Sequence, residues 1–188
     1  MSDRGRTVLG AVTWLRALLV PVIIALVLEA PRSDVARIVG TVIFTAAGFT
    51  DLLDGYLARR WRFQTALGGF LDTTADKLLV SGTLLALVEI GRVSTWIAFL
   101  IIGRELVLLA LKGVVAAGGA SVDPSSWGKW KATVQFIAIG MAIAHLGPRI
   151  GPLHLDGYAM LVATALTVIS AIDYLGRYRS EEHTSELQ

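Results

Sequence analysis

Cysteine is absent from the 188-residue chain, which excludes a disulfide scaffold and a thiolate metal centre. Charge is sparse as well. Asp, Glu, Lys and Arg supply 17% of the residues against 54% hydrophobic ones, and the mean hydropathy is +0.64. Soluble domains carry about 25% charged residues. The deficit indicates one integral membrane domain held in a lipid bilayer. A net charge of +2 has little meaning by itself, because in a membrane the positions of the positive charges decide orientation. No nucleic-acid partner is expected. Residues 1–12 lack a short apolar core followed by a small-residue cleavage site, so the first apolar run is expected to be retained as a helix.

Long apolar runs take the place of what is missing. Six of them reach or approach the roughly 20 residues that cross a bilayer core. They are Val8–Leu28, Val35–Leu57, Ala66–Ile90, Thr95–Ala116, Ala132–Leu146 and Tyr158–Leu175. Polar, Gly- or Pro-containing connectors separate most of them, and no internal repeat is visible. The expected fold class is all-α, an integral membrane bundle of six transmembrane helices. If the N-terminus is cytoplasmic, one side collects ten basic residues, Arg4, Arg6, Arg59, Arg60, Arg62, Lys112, Lys129, Lys131, Arg177 and Arg179, against four on the other, Arg32, Arg37, Arg92 and Arg149. That asymmetry places both termini in the cytoplasm.

The chain is organised around Asp51 to Asp76, DLLDGYLARRWRFQTALGGFLDTTAD. Four aspartates within apolar segments are costly unless neutralised. Asp51 and Asp54 are three apart and Asp72 and Asp76 four apart, so in helical geometry each pair shares a face. A hairpin turning near Phe63 sets the pairs level with one another. Four converging carboxylates call for raised pKa values or bound divalent cations, and all-oxygen ligation points to Mg²⁺, Mn²⁺ or Ca²⁺. At about 1.5 Å rise per residue the carboxylates lie roughly 5–15 Å from the turn. The site is expected to open toward the cytoplasm.

Further ionisable residues fall within or beside the apolar runs. Arg104 and Glu105 form either a buried ion pair or, in the sharper reading, a place where Arg104 meets an anionic substrate group. Lys129 and Lys131 either flank the membrane with Trp127 and Trp130 or join Arg104 in capturing a phosphate. Lys77 is expected to balance the acidic cluster or to serve structure, and Arg16 to anchor its helix near the interface. His145, His154 and His183 have no metal-ligand spacing.

The central stretch resembles the CDP-alcohol phosphotransferases. Their signature, D-x2-D-G-x2-A-R-x8-G-x3-D-x3-D, is met at Asp51, Asp54, Gly55, Ala58, Arg59, Gly68, Asp72 and Asp76. Thr13, Arg16, Pro21, DKLLV after Thr74-Ala75, IIGRE at 101–105, and Ser125, Gly128, Lys129, Lys131 and Gln135 resemble the phosphatidylglycerophosphate synthase branch. Thr73 and Ala132 depart from that branch, and an asparagine expected near the N-terminus is missing. The resemblance implies transfer of a phosphatidyl group from CDP-diacylglycerol to glycerol 3-phosphate with release of CMP. It implies two divalent cations, Mg²⁺ or Mn²⁺, on Asp51, Asp54, Asp72 and Asp76, with Asp76 also the general base. Gly55, Ala58, Arg59 and Gly68 are implied at the CDP-lipid, Arg104, Lys129 and Lys131 at the acceptor phosphate, and a homodimer as the assembly, in the plasma membrane with its active site facing the cytoplasm. The alternatives are another acceptor (inositol phosphate or phosphatidylglycerol) and, from a different class, a divalent-cation transporter.

The end of the chain reads differently. Residues 179–188, RSEEHTSELQ, are spelled by the codons AGA TCG GAA GAG CAC ACG TCT GAA CTC CAG, which match a widely used sequencing adapter. The membrane domain is therefore expected to occupy residues 1–178, followed by a non-native tail.

Overall fold

A computed structural model describes the backbone of residues 3–61, 66–117 and 126–185, and the side chains of residues 14–50, 73–111, 113, 131–174 and 176. Helices dominate the described residues. They are α1 (Asp3–Glu29), α2 (Asp34–Trp61), α3 (Ala66–Glu89), α4 (Thr95–Ala117), α5 (Ser126–Ala144) and α6 (Leu155–Ser185). Each expected apolar run falls largely within one of them. The fifth helix begins six residues before the expected Ala132. α6 continues to Ser185, through most of the RSEEHTSELQ segment, whose side chains lie outside the described residues.

Local chemistry sets several helix ends. Ser33 caps α2 by accepting a hydrogen bond from Ala36 N at 3.2 Å, and Ser94 caps α4 through Trp96 N at 3.3 Å; each satisfies an amide that the first helical turn leaves unpaired. α3 ends where Gly91 takes φ +71°. There Gly91 N donates to Val88 O and Arg92 N to Leu87 O, at 3.0 and 2.9 Å, the paired bonds of a glycine-terminated helix. The Gly/Pro-rich connector before α6 holds two short strands, β1 (Arg149–Ile150) and β2 (Leu153–His154). They pair antiparallel, Arg149 with His154 and Ile150 with Leu153. Gly151 at φ +64° turns the chain between them, a conformation that glycine adopts without steric cost.

The chain falls into two units, Met1–Arg92 with Ala142–His145, and Val93–Met141 with Leu146–Gln188. In the first, α1 packs on α2 and α3 around Ile23, Val27, Phe44, Leu79, Leu84 and Leu87, all fully buried. In the second, α4 packs on α6, and Ile101, Ala138, Ile139, Met160 and Ala163 are buried. Thr83, Thr164 and Thr167 are buried too, each hydroxyl donating to the carbonyl one turn back, Leu79, Met160 and Ala163. Such bonds satisfy a hydroxyl where water is missing.

The exterior is apolar to a degree unusual for a chain in water. Trp14, Leu18, Val35, Val42, Trp96 and Ile172 are each at least 60% exposed. Among the described residues, Leu155–Tyr174 is long and apolar enough to cross a membrane, with mean hydropathy 1.7, and Lys131–Ala144 is a shorter apolar helix.

Candidate active site

The acidic motif is carried by two helices. Asp51, Asp54, Gly55, Ala58 and Arg59 belong to α2, and Gly68, Asp72 and Asp76 to α3. The helical backbone gives each aspartate pair the one-face spacing read from the sequence. Residues 62–65, where the hairpin turn near Phe63 was expected, and the side chains of Asp51, Asp54, Gly55, Ala58, Arg59, Gly68 and Asp72 lie outside the described residues. Asp76 is described. Its carboxylate keeps 28% exposure and accepts a hydrogen bond from Lys77 Nζ at 3.3 Å through Oδ2. Lys77 itself is 27% exposed, so this pairing with its sequence neighbour is a partly solvated one.

Arg16 takes part in the packing of the first unit. Expected at the interface, it is 2% exposed and stands among the largest fully buried side chains. The reason is its place on the packing stripe of α1, with Ile23, Val27 and Ala30 following at helical spacing. Its level follows from the packing of α1 against α3. A Cβ on Gly82 of α3 would meet Val20 Cγ1 and Ile24 Cδ1 of α1 at 3.0 Å. Leu28 near the end of α1 lines a cavity with Glu89 and Ile90 at the end of α3. The two helices thus run parallel, and six residues back along both, Asp76 stands level with residues 14–18. Arg16 is the buried one of those five. An arginine at the level of Asp76 was not legible from spacing, since nothing in the sequence states the α1–α3 register.

The basic candidates belong to the second unit. Arg104 and Glu105 are on α4, and both Lys129 and Lys131 are on α5. Residues two apart lie about 200° around a helix axis, so Lys129 and Lys131 are on different sides of α5; the side chain of Lys129 lies outside the described residues. Lys131 is 4% exposed and its Nζ donates to Glu105 Oε1. The same Oε1 accepts from Arg104 Nη1 at 2.9 Å, while Arg104 Nη2 donates to Ser170 Oγ of α6 at 2.8 Å. Glu105 thus gathers two cations on one carboxylate oxygen. Charge-assisted bonds of this kind are short and directional. The buried Arg104–Glu105 pair was one of the two readings of the sequence, whereas Ser170 as a partner of Arg104 and Glu105 as a partner of Lys131 were missed, because those bonds span 66 and 26 positions.

Two polar atoms beside this cluster lack a hydrogen-bond partner among the described residues, Arg104 Nε and Gln135 Oε1. Gln135 is 4% exposed and follows Lys131 by one turn on the buried face of α5.

The profile of the CDP-alcohol phosphatidyltransferase family matches residues 7–169. The chain belongs to that family. The match contains the aspartate signature, Arg104, Glu105, Lys131 and Gln135, and stops one residue before Ser170. A Mycobacterium tuberculosis protein named "Probable phosphatidylglycerophosphate synthase" is 39% identical over 168 residues, covering 88% of this chain and 78% of its own. The CDP-diacylglycerol–glycerol-3-phosphate 3-phosphatidyltransferase of Haemophilus influenzae is 37% identical over 170 residues, covering 87% and 88%. Its namesake in Bacillus subtilis is 36% identical over 144 residues, covering 76% and 75%. This CDP-alcohol phosphatidyltransferase is accordingly an enzyme of that class.

Proposed function

We propose that the chain transfers a phosphatidyl group from CDP-diacylglycerol to glycerol 3-phosphate, giving phosphatidylglycerol phosphate and CMP. The observation that carries this reading is the complete eight-position signature on α2 and α3, within a chain 37% identical to the H. influenzae enzyme whose name states that reaction. The primary hydroxyl of the acceptor attacks the β-phosphorus of the donor, the bond from that phosphorus to the CMP oxygen breaks, and CMP leaves. Asp76 takes the hydroxyl proton; its partial exposure leaves oxygen lone pairs available for this.

The donor set fits a pair of hard divalent cations. Asp51, Asp54, Asp72 and Asp76 are the residues that would hold two Mg²⁺ or Mn²⁺ ions, and their spacing on two helices suits all-oxygen ligation. Such ions, when bound, neutralise pyrophosphate charge and stabilise the attacking and leaving oxygens. Gly55, Ala58 and Gly68 leave room beside the helices for the donor's cytidine portion, and Arg59 pairs with its phosphate. Arg104 and Lys131 bind the acceptor phosphate, a role that two cations gathered on one carboxylate, Glu105, support; Lys129, on another side of α5, is the further candidate for that phosphate from the first turn of the helix.

The same reading places the domain in the plasma membrane as six spans, with both termini and the active site facing the cytoplasm, and as a homodimer. The exposed apolar side chains and the α6 span support a bilayer setting. It also suits the chemistry, since the donor's acyl chains stay in lipid while CMP and glycerol 3-phosphate are soluble.

The test is CMP release by the purified chain in detergent with CDP-diacylglycerol and Mg²⁺ or Mn²⁺, offering glycerol 3-phosphate, inositol phosphate or phosphatidylglycerol in turn. Release that depends on glycerol 3-phosphate is expected, and Arg104→Ala is expected to raise its KM about tenfold or more while leaving the donor KM within about twofold. Release with only another acceptor would move the chain to another branch, and metal flux across vesicles without release would make it a transporter.

A further inference from the structure

The acceptor cluster in the second unit is nearly, but not fully, self-satisfied. Glu105 takes Arg104 Nη1 and Lys131 Nζ, and Ser170 takes Arg104 Nη2. What is left over is one donor, Arg104 Nε, and one acceptor, Gln135 Oε1, both buried and without a partner among the described residues. Buried polar atoms are almost always hydrogen-bonded, so each exception calls for a reason. Gln135 stands about 6 Å along α5 from Lys131, one helical turn, on the same buried face. Arg104 keeps 14% of its side chain exposed, so the cluster is not sealed.

A phosphate dianion alone explains only half of this arrangement. Its oxygens accept from Arg104 Nε and from lysine, but it has no proton to give an amide oxygen. A ligand that carries both a phosphate and a hydroxyl near it meets both leftover atoms. We infer that Gln135 is a specificity-determining residue that reads the secondary hydroxyl of a phosphorylated polyol whose phosphate is held by Arg104 and Lys131. The inference rests on the proposed acceptor reading and deepens it. It explains why an uncharged amide is buried one turn from Lys131, and it assigns the hydroxyl adjacent to the reacting one as the group by which the acceptor is told from a simple alkyl phosphate. Sites built to hydrogen-bond a hydroxyl discriminate strongly against analogues that lack it, because the site's own polar group is then stranded.

The experiment compares glycerol 3-phosphate with 3-hydroxypropyl phosphate, which keeps the phosphate and the primary hydroxyl but lacks the secondary one. With the full chain in detergent, CDP-diacylglycerol and Mg²⁺, the wild type is expected to favour glycerol 3-phosphate in kcat/KM by about 10- to 100-fold. Gln135→Leu and Gln135→Met, apolar replacements of similar volume, are expected to shrink that preference to within about threefold, chiefly through the KM for glycerol 3-phosphate. Equal use of the two acceptors by the wild type would overturn the inference without any variant having to fold. So would a folded Gln135→Leu that loses activity on both acceptors in equal proportion, which is the signature of a structural amide served by water. In both of those outcomes the proposed reaction stands. No turnover of glycerol 3-phosphate by the wild type would remove the reaction and the inference together.

Discussion

In the unit built from α4, α5 and α6, charge is deeply buried and paired across helices, with Glu105 at 4% exposure holding Lys131 at 4% and Arg104 beside it. In the unit built from α1, α2 and α3, the described signature carboxylate, Asp76, keeps 28% exposure and pairs with its own neighbour Lys77. The contrast separates two tasks. Recognition of a fixed anionic group favours cations whose positions are locked before the ligand arrives, since locked groups lose little entropy on binding. A carboxylate meant to meet ions and a proton does better with lone pairs that no buried cation occupies. Carboxylates in the two units thus sit in opposite surroundings, one buried between two cations and one partly exposed beside Lys77.

One substitution, carboxylate to amide, tests this contrast in both units. Asp76→Asn is expected to lower CMP release about a thousandfold, through loss of the general base and of a ligand oxygen. Its thermal stability in detergent should move by less than about 1 kcal/mol, because a half-solvated pair contributes little. Loss of fold together with activity would place Asp76 in the structural class instead.

Glu105→Gln should behave the other way. It leaves two buried cations facing a neutral amide, and breaking a buried pair by removing one partner costs about 3–5 kcal/mol. The readout is the unfolding midpoint in detergent, with Ser170→Ala as the lesser companion, since a single hydrogen bond to a charged group contributes about 1.5–3 kcal/mol. An unchanged midpoint in Glu105→Gln would mean that the cluster is open to water and that the contrast between the units is false.

The fold class and the acidic signature were legible because both are local. Apolar runs of span length mark helices wherever their partners lie, and Asp72 and Asp76 read as one face from their spacing alone. The short β1–β2 hairpin escaped because its strands are two residues each within a Gly/Pro-rich stretch, too short for any alternation to appear. Arg16 and Ser170 escaped for a different reason. Arg16 became a site-level residue only through the α1–α3 register set at Gly82, and Ser170 only through a bond 66 positions away. A lone arginine near a helix start and a lone serine in an apolar helix each have an ordinary reading. Tertiary packing overrides both. The early start of α5 is an intermediate case. Ser126 is a fair helix-capping residue, but the Trp/Lys composition of 127–131 hid the first turn and a half behind the pattern of a membrane flank.

The smallest expected effects sharpen the comparison through two glycines. At Gly82 of α3 an added Cβ would stand 3.0 Å from Val20 Cγ1 and Ile24 Cδ1. Ile24 can swing its terminal methyl aside, but Val20 is branched at Cβ and stiff in its first torsion. Gly82→Ala should therefore cost about 1–2 kcal/mol, the range for modest overpacking. It should also lower CMP release, since any widening between α1 and α3 shifts Arg16 relative to Asp76. Gly103 of α4 meets nothing within 4 Å, so there the same substitution only relieves the helix of a flexible residue. Gly103→Ala should gain about 0.5–1 kcal/mol, with activity within about twofold of wild type because the new methyl group touches none of the groups bonded to Arg104. If both variants gain stability, the α1–α3 contact is looser than 3.0 Å and the level assigned to Arg16 falls with it. Opposite signs would tie the register that sets Arg16 level with Asp76 to the absence of one methyl group.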